Sequence, residues 1–313
     1  MADNLVIISF CLSIPVLIIT QRLFLKMNYT DKIISRSSHK SIATRSGGVS
    51  VFLILFLISS YFYLDGKTLF DYSFIIPLSL LILIGLYDDI NNVDYKLKFI
   101  FQIIAAKIII DNGLIIDNLH GVIGIYELGR LASQLLTIFI IVAIINSINF
   151  IDGIDGLALS VIIVFILSFE FFSMNITPFK SISSILIPSL IALSFFNFKK
   201  EKKIFLGDSG SHLLGGIASI YVVYVLSNDY IIKPEYDLHK VLFIISILTY
   251  PIIDIIRIFF KRLLNNKSPF EADKNHIHHL ILSKTQSHFK TTFFIILFNI
   301  IIIFTFQLIQ NFQ

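Results

Sequence analysis

The chain has a single cysteine, Cys11, among 313 residues. One cysteine excludes an intrachain disulfide, and one soft ligand makes no metal site, so Cys11 reads as a small packed hydrophobe. Charged residues make up only 15% of the chain and the net charge is +4, too slight a basic excess to indicate a nucleic-acid partner. The sequence lacks internal repeats, low-complexity tracts and any stretch polar enough for a separate soluble domain, so 1–313 reads as one membrane domain. Features of a cleavable leader are also missing. Asp3 is the only charged side chain before Leu5, Arg22 and Lys26 follow the first apolar run, and no small-residue cleavage site comes after it. That run reads as a first spanning helix with its N-terminus outside.

What is abundant is apolar. Hydrophobic residues are 56% of the chain, 31 of them Phe, and the mean hydropathy is +0.84. A soluble domain of this length could not bury so much apolar surface, so lipid must be the solvent for most of it. A spanning helix needs roughly 20 apolar residues. About ten candidates follow, at 5–25, 48–64, 72–88, 97–111, 131–148, 156–174, 181–198, 210–227, 240–260 and 291–309. The fold class expected is an all-α polytopic membrane protein. The ninth candidate holds Pro251, Asp254 and Arg257, which predicts a kinked or broken helix beside a polar space, with Asp254 and Arg257 paired one turn apart. Seventeen Lys and Arg lie on the odd-numbered loops and their borders against five on the even ones. The positive-inside rule then makes the odd loops cytoplasmic and both termini external.

Three acid-and-glycine clusters interrupt the apolar sequence, and all three fall on odd loops. They are Asp88-Asp89, Asn149-Phe150-Ile151-Asp152-Gly153-Ile154-Asp155-Gly156 and Gly207-Asp208-Ser209-Gly210-Ser211. Carboxylates beside lipid-length runs need a partner or a task. Asp208 opens the eighth span, where free amides favour an anion; its carboxylate could hold Mg²⁺ while the amides receive phosphate oxygens, or it could simply cap the helix. Asp152 and Asp155 open the sixth span in the same manner, with Asn149 just before them. Asp88 and Asp89 end the third span, where the helix dipole disfavours negative charge, so metal, lysine or proton duty suits them better than capping, with Lys98 as a partner. In the last odd loop His276, His278 and His279 suit phosphate contact or proton handling. On a helix His276 and His279 would share a face, with His278 pointing away. The two-His-with-Glu spacing of metalloproteases is absent. In the first odd loop His39 and Arg45 precede Gly47-Gly48, a pair that could admit a phosphate to the backbone.

Taken in order, these motifs resemble the polyprenyl-phosphate N-acetylhexosamine-1-phosphate transferase family, of the glycosyltransferase family 4 type, over about residues 31–283. The fragments are Arg36…His39…Arg45-Ser46-Gly47-Gly48, Gly85-Leu86-Tyr87-Asp88-Asp89 with Lys98 and Gln102, and Asn146 to Ala158. Phe205 to Gly215, Pro251-Ile252-Ile253-Asp254 and Ser268-Pro269-Phe270…His276-Ile277-His278-His279 complete the set. His-Ile-His-His resembles the branch that starts O-antigen, common-antigen or teichoic-acid-type glycans, rather than the phospho-MurNAc-pentapeptide branch.

The resemblance implies transfer of a sugar-1-phosphate from a UDP-N-acetylhexosamine to a polyprenyl phosphate such as undecaprenyl phosphate, with release of UMP, in the bacterial inner membrane. It implies Mg²⁺ (or Mn²⁺) on Asp208 with Asp152, and catalytic roles for Asp88 or Asp89, Asp208 and Lys98. Asn149, Asp152, Asp155, His276, His278, His279, Arg45 and His39 would bind substrate. A homodimer is left open, and so is the choice between direct attack and a covalent intermediate. The competing class is a secondary transporter with a cytoplasm-facing acidic site. Its binding residues should lie near the bilayer midplane, with repeat symmetry, whereas here the acids gather at helix ends.

Overall fold

The computed structural model describes residues 2–31, 42–227, 230–236, 239–265 and 275–309. The described residues are mostly helical: α1 (Ala2–Lys26), α2 (Gly47–Leu64), α3 (Ile75–Asn91), α4 (Tyr95–Asp111), α5 (Arg130–Ile151), α6 (Leu157–Phe172), α7 (Lys180–Asn197), α8 (Gly207–Leu226), α9 (Lys240–Ile247), α10 (Thr249–Leu264), α11 (Ile277–Thr285) and α12 (His288–Ile309). Each of the ten apolar runs coincides with a helix or, for the ninth, a helix pair. In lipid this is the expected solution, because only a helix satisfies its own backbone groups within one segment. Among the described residues seven helices are long and apolar enough to cross a membrane, and the α9–α10 pair, bent by 81°, makes an eighth. α6 is a shorter apolar helix, and α4 carries Lys96, Lys98, Lys107 and Asp111.

The bend falls between Ile247 and Thr249. Pro251, in the first turn of α10, has no N–H to donate to the Ile247 carbonyl, so the helix cannot run through. Asp254 and Arg257 do not pair as expected. Arg257 donates to the Asn275 carbonyl at 2.6 Å, and Asp254 takes the ring of His276 at 2.6 Å. A folded loop segment supplied a better partner than the next turn of the same helix.

α8 is the central element. It packs against α2, α3 and α5, and nearly all of it is buried while the other spans show lipid-facing sides. Small residues allow the approach, as is common between membrane helices. A Cβ on Gly48 of α2 would stand 2.1 Å from the Gly210 nitrogen, and one on Gly215 would stand 2.7 Å from the Ile145 Cα of α5. A two-residue parallel pair, β1 (Ala43–Thr44) with β2 (Lys203–Ile204), joins the first loop to the entry of α8. The pairing continues as Gly47 and Gly48 donate to the Phe205 and Leu206 carbonyls, both at 2.9 Å. Those amides are therefore spent on the chain itself, not open to a phosphate as the Gly-Gly sequence suggested.

Candidate active site

The acids of α3 are stabilised by neighbours rather than by their own helix. Beyond Asn91 the chain turns at Asn92 in the left-handed region (φ 53°), which lets Val93 donate to Asp88 Oδ1 at 2.6 Å. Lys98, in the first turn of α4, comes back to Asp88 Oδ2 at 2.7 Å. Asp89 reaches across to α8 and accepts from the amides of Asp208 and Ser209 at 2.9 and 3.0 Å. This resolves the conflict with the α3 dipole, since Asp89 sits at the favourable N-terminal end of a different helix. It also corrects the expectation that those amides wait for phosphate: a carboxylate from α3 already fills them.

Asp208 is aimed into the site. Its Oδ1 accepts from Asn149 Nδ2 at 2.8 Å, its Oδ2 is 3.8 Å from Lys98 Nζ, and its carboxylate lies within hydrogen-bonding range of that of Asp88. Side-chain exposure separates the acids: 31% for Asp208 against 8% for Asp88 and 2% for Asp89. Arg45 closes one flank, 2.7 Å from Asp31 and 3.5 Å from Asp89. Burial opposes its charge, but Asp31, Asp89 and Asp208 together outweigh that and hold its pKa above the usual value. A cavity of about 330 Å³ opens beside it, lined by Phe24, Tyr29, Asp31, Arg45, Asp89 and Asn92 among others.

Asp152 lies just past the end of α5, within electrostatic reach of Asp208, Asp89 and Arg45. Burial, and then the carboxylates of Asp208 and Asp89, push its pKa well above the ordinary range. With the folded pKa raised, stability is greatest below the unfolded value near ~3.9 and falls as pH rises towards the folded one. Asp152→Asn is therefore expected to raise the melting temperature of chelator-treated protein at pH 7–8, and to flatten its pH dependence. An unchanged or lower melting temperature would count against this electrostatic assignment.

Asp155 has another place. It pairs with Lys203 and with His288, the latter at 3.1 Å, while Thr292 donates to its carbonyl at 3.0 Å. Burial works against its charge, yet these bonds hold its pKa below the ordinary value. Asp155 thus braces α12 against β2 and the α5–α6 turn, through partners other than the acids of α3 and α8. The sequence offered Lys203 only as a topology signal and His288 not at all.

The histidines stand on the far side of that turn. His276 precedes α11, pairs with Asp254, and stacks on His278 with ring centroids 5.4 Å apart. His278 and His279 approach to 4.3 Å. The expected division, with His278 pointing away, fails because His276 lies outside the helix as its N-cap. Tyr250 hydrogen-bonds His278 Nδ1 at 3.0 Å, and burial followed by the His279 charge lowers the His278 pKa to about 3. A Cβ on Gly153 would stand 2.3 Å from His278 Nε2, so the glycine after Asp152 leaves room for the ring. Phe150 completes the link, 5.8 Å from His276 and 5.9 Å from the Arg262 guanidinium. His39, Arg36 and the segment Ser268–Asp273 lie outside the described residues.

The donor set decides which metal could fit. Among the described residues no three of His, Cys, Asp and Glu form a cage for an ion. Mg²⁺ asks only for one or two carboxylates and takes water or phosphate elsewhere. Asp88, Asp89, Asp152 and Asp208 outnumber the two fixed cations beside them, Lys98 and Arg45, and Arg45 is shared with Asp31, so the cluster has an excess of acids that a divalent ion would offset.

A multi-pass helical bundle that gathers acids, fixed cations and histidines at one end has the build of an integral-membrane phosphotransferase. The chain belongs to glycosyl transferase family 4, whose family model matches residues 72–226. It is similar to the probable undecaprenyl-phosphate N-acetylglucosaminyl 1-phosphate transferase of Bacillus subtilis, 32% identical over 292 residues, covering 90% of this chain and 79% of that protein. It is 32% identical over 290 residues to the undecaprenyl-phosphate alpha-N-acetylglucosaminyl 1-phosphate transferase of Pasteurella multocida, covering 88% and 77%. The decaprenyl-phosphate N-acetylglucosaminephosphotransferase of Mycolicibacterium smegmatis is 29% identical over 243 residues, covering 72% of this chain and 60% of that longer protein.

Proposed function

We propose that the chain transfers an N-acetylhexosamine 1-phosphate from a UDP-sugar to a polyprenyl phosphate and releases UMP. The activities named for its relatives support this reading, with undecaprenyl phosphate as acceptor and UDP-N-acetylglucosamine as the first donor to try. The observation that carries it is the meeting of Asp88 and Asp208 beside Lys98, in a cluster where acids outnumber fixed cations. Two anionic phosphates must come together for the transfer, and catalysis there is mostly positioning and charge stabilisation. Mg²⁺ or Mn²⁺, held by Asp208 with Asp152, would supply charge that lowers the repulsion between donor and acceptor. Lys98 and Arg45 add fixed positive charge. Asn149 orients Asp208, and His276, His278 and His279 would meet the donor across the Asp152–Gly153 turn. Because Asp89 is committed to the α8 amides, work on the acceptor phosphate falls to Asp88.

The proposed topology is ten crossings of the bacterial inner membrane, with both termini outside and the site cytoplasmic. It rests on the bias of basic residues and on the site-end location of the Lys26 end of α1 and the His288 end of α12. The product would start a cell-surface glycan such as O-antigen, and a homodimer remains part of the proposal. Purified protein in detergent is expected to release UMP from UDP-N-acetylglucosamine or another UDP-N-acetylhexosamine only when undecaprenyl phosphate and Mg²⁺ are both present, with lipid-linked sugar phosphate formed. Release that ignores the lipid, or none from any donor by folded protein, would defeat the assignment.

A further inference from the structure

Beneath the acidic site the same helices carry a second tier of polar side chains. Gln102 lies one turn along α4 from Lys98, Asn146 nearly one turn back along α5 from Asn149, and His212 one turn along α8 from Asp208. Gln102 and His212 are 0% and 1% exposed. His212 lies one turn before Gly215 and Gly216, which pack on Ile145 of α5 and on Leu81 of α3, so it shares the face of α8 turned to the square formed by α3, α4, α5 and α8.

Backbone carbonyls fix which atoms donate. Asn146 Nδ2 donates to the Val142 carbonyl at 2.8 Å and to Gln102 Oε1 at 2.7 Å. A carbonyl only accepts, so the Asn146 atom is nitrogen and the Gln102 atom facing it is oxygen. The Gln102 amide nitrogen is left pointing elsewhere with its N–H groups. His212 Nδ1 lies 2.8 Å from the Asp208 carbonyl, so Nδ1 carries the proton and Nε2 of the neutral ring presents a lone pair. Among the described residues neither Gln102 Nε2 nor His212 Nε2 has a protein partner, and both are sealed from the surface. Buried polar atoms of this kind are costly unless something satisfies them.

We propose that Gln102 and His212 together bind a buried water molecule beneath Lys98, and that His212 thereby acts as a positioning residue for the transferase site. The occupant must accept from an amide and donate to an imidazole lone pair. A cation would be repelled by the Gln102 N–H groups, and an anion by the His212 lone pair. Water satisfies both, and since a buried water usually makes about three hydrogen bonds, it can also take one from Lys98, a turn above Gln102. Supported from below, the Lys98 ammonium keeps the depth at which it meets Asp88 at 2.7 Å and Asp208 at 3.8 Å.

Two measurements on the full chain in lipid nanodiscs test this. A density map that resolves ordered waters should show one bridging Gln102 Nε2 and His212 Nε2; a direct side-chain contact, or no density between them, overturns the site. The kinetic arm rests on the proposed transferase activity. In UMP release with UDP-N-acetylglucosamine and undecaprenyl phosphate, His212→Leu is expected to lower kcat about 10-fold with both KM values unchanged. His212→Gln, whose amide reaches the Nε2 position, should restore most of the loss, while His212→Asn, which reaches only the Nδ1 position, should not. Gln102→Met should match His212→Leu, and the double variant should lose no more than either single, because both remove the same water. Equal defects in the Leu and Gln variants, or losses that multiply, would reduce His212 to a packing residue. If His212→Leu does not fold, the Gln, Asn and Gln102→Met comparisons carry the same decision. A wild-type protein that releases no UMP defeats the transferase reading, and the map still decides the water.

Discussion

Asp208→Asn is expected to remove turnover, by at least ~10³-fold, from a protein that remains folded and inserted. The substitution keeps the volume of the side chain and leaves an oxygen for Asn149 Nδ2, now 2.8 Å from Oδ1. The start of α8 stays capped, because its amides belong to Asp89 rather than to Asp208. What disappears is one negative charge on an acid more open than Asp88 or Asp89, at 31% side-chain exposure against 8% and 2%. A loss of that size corresponds to about 4 kcal/mol of transition-state stabilisation, well beyond the ~0–1 kcal/mol an exposed ion pair contributes. UMP release alongside a thermal melt would check it. Retained activity above a tenth of wild type would remove Asp208 from the centre of the site, and a collapsed melt would mean that its role is structural.

Gly85→Ala should damage the enzyme without touching a charge. A Cβ at Gly85 would stand 2.4 Å from the Asp208 carbonyl oxygen and 2.6 Å from the Ser209 Cα. Both are backbone atoms that cannot swing aside, so α3 and α8 must part by about 1 Å to reach ordinary contact. Asp88 and Asp89 ride on one helix and Asp208 on the other, and a displacement of ~1 Å at a reacting centre costs on the order of 10²-fold. Overpacking adds about 1–3 kcal/mol of destabilisation. The measured signature would be a large fall in kcat with a moderately lowered melting temperature. Gly129→Ala is the control, since a Cβ there meets nothing within 4 Å. Wild-type kcat in Gly85→Ala would show that the two helices slide without disturbing the acids.

Much of the frame was legible because lipid imposes a simple rule, and the apolar runs obey it. The gathering of Asp88, Asp152 and Asp208 at one end followed from the same threading, and so did a break near Pro251. Less could be read where the determinant is an exchange between distant segments. Nothing local in Asp88-Asp89 tells that one acid turns to Lys98 while the other caps α8. The sequence of Asp155 is as acid-like as that of Asp152, yet Lys203 and His288 draw it into a brace. A two-residue strand pair such as Ala43–Thr44 with Lys203–Ile204 has no periodicity to detect. The histidine motif misled because a helical face was assumed for His276, which instead ends the loop and pairs with Asp254. His212 gave no signal within its apolar helix, and only the orphaned ring nitrogen reveals it.

The bonds from Asp89 to the α8 amides join residues 119 and 120 positions apart. During synthesis at roughly 5–20 residues per second, Asp89 has left the ribosome on the order of ten seconds before its partners exist. Through that interval α3 ends in two adjacent acids, with Arg45 and Lys98 as the cations at hand but no α8 N-terminus to accept the second. The arrival of α8 therefore does more than add a span: it discharges an electrostatic debt carried by the nascent chain. Chains truncated before Gly207 should accordingly be poor at holding α3 in the bilayer, and good substrates for membrane quality control.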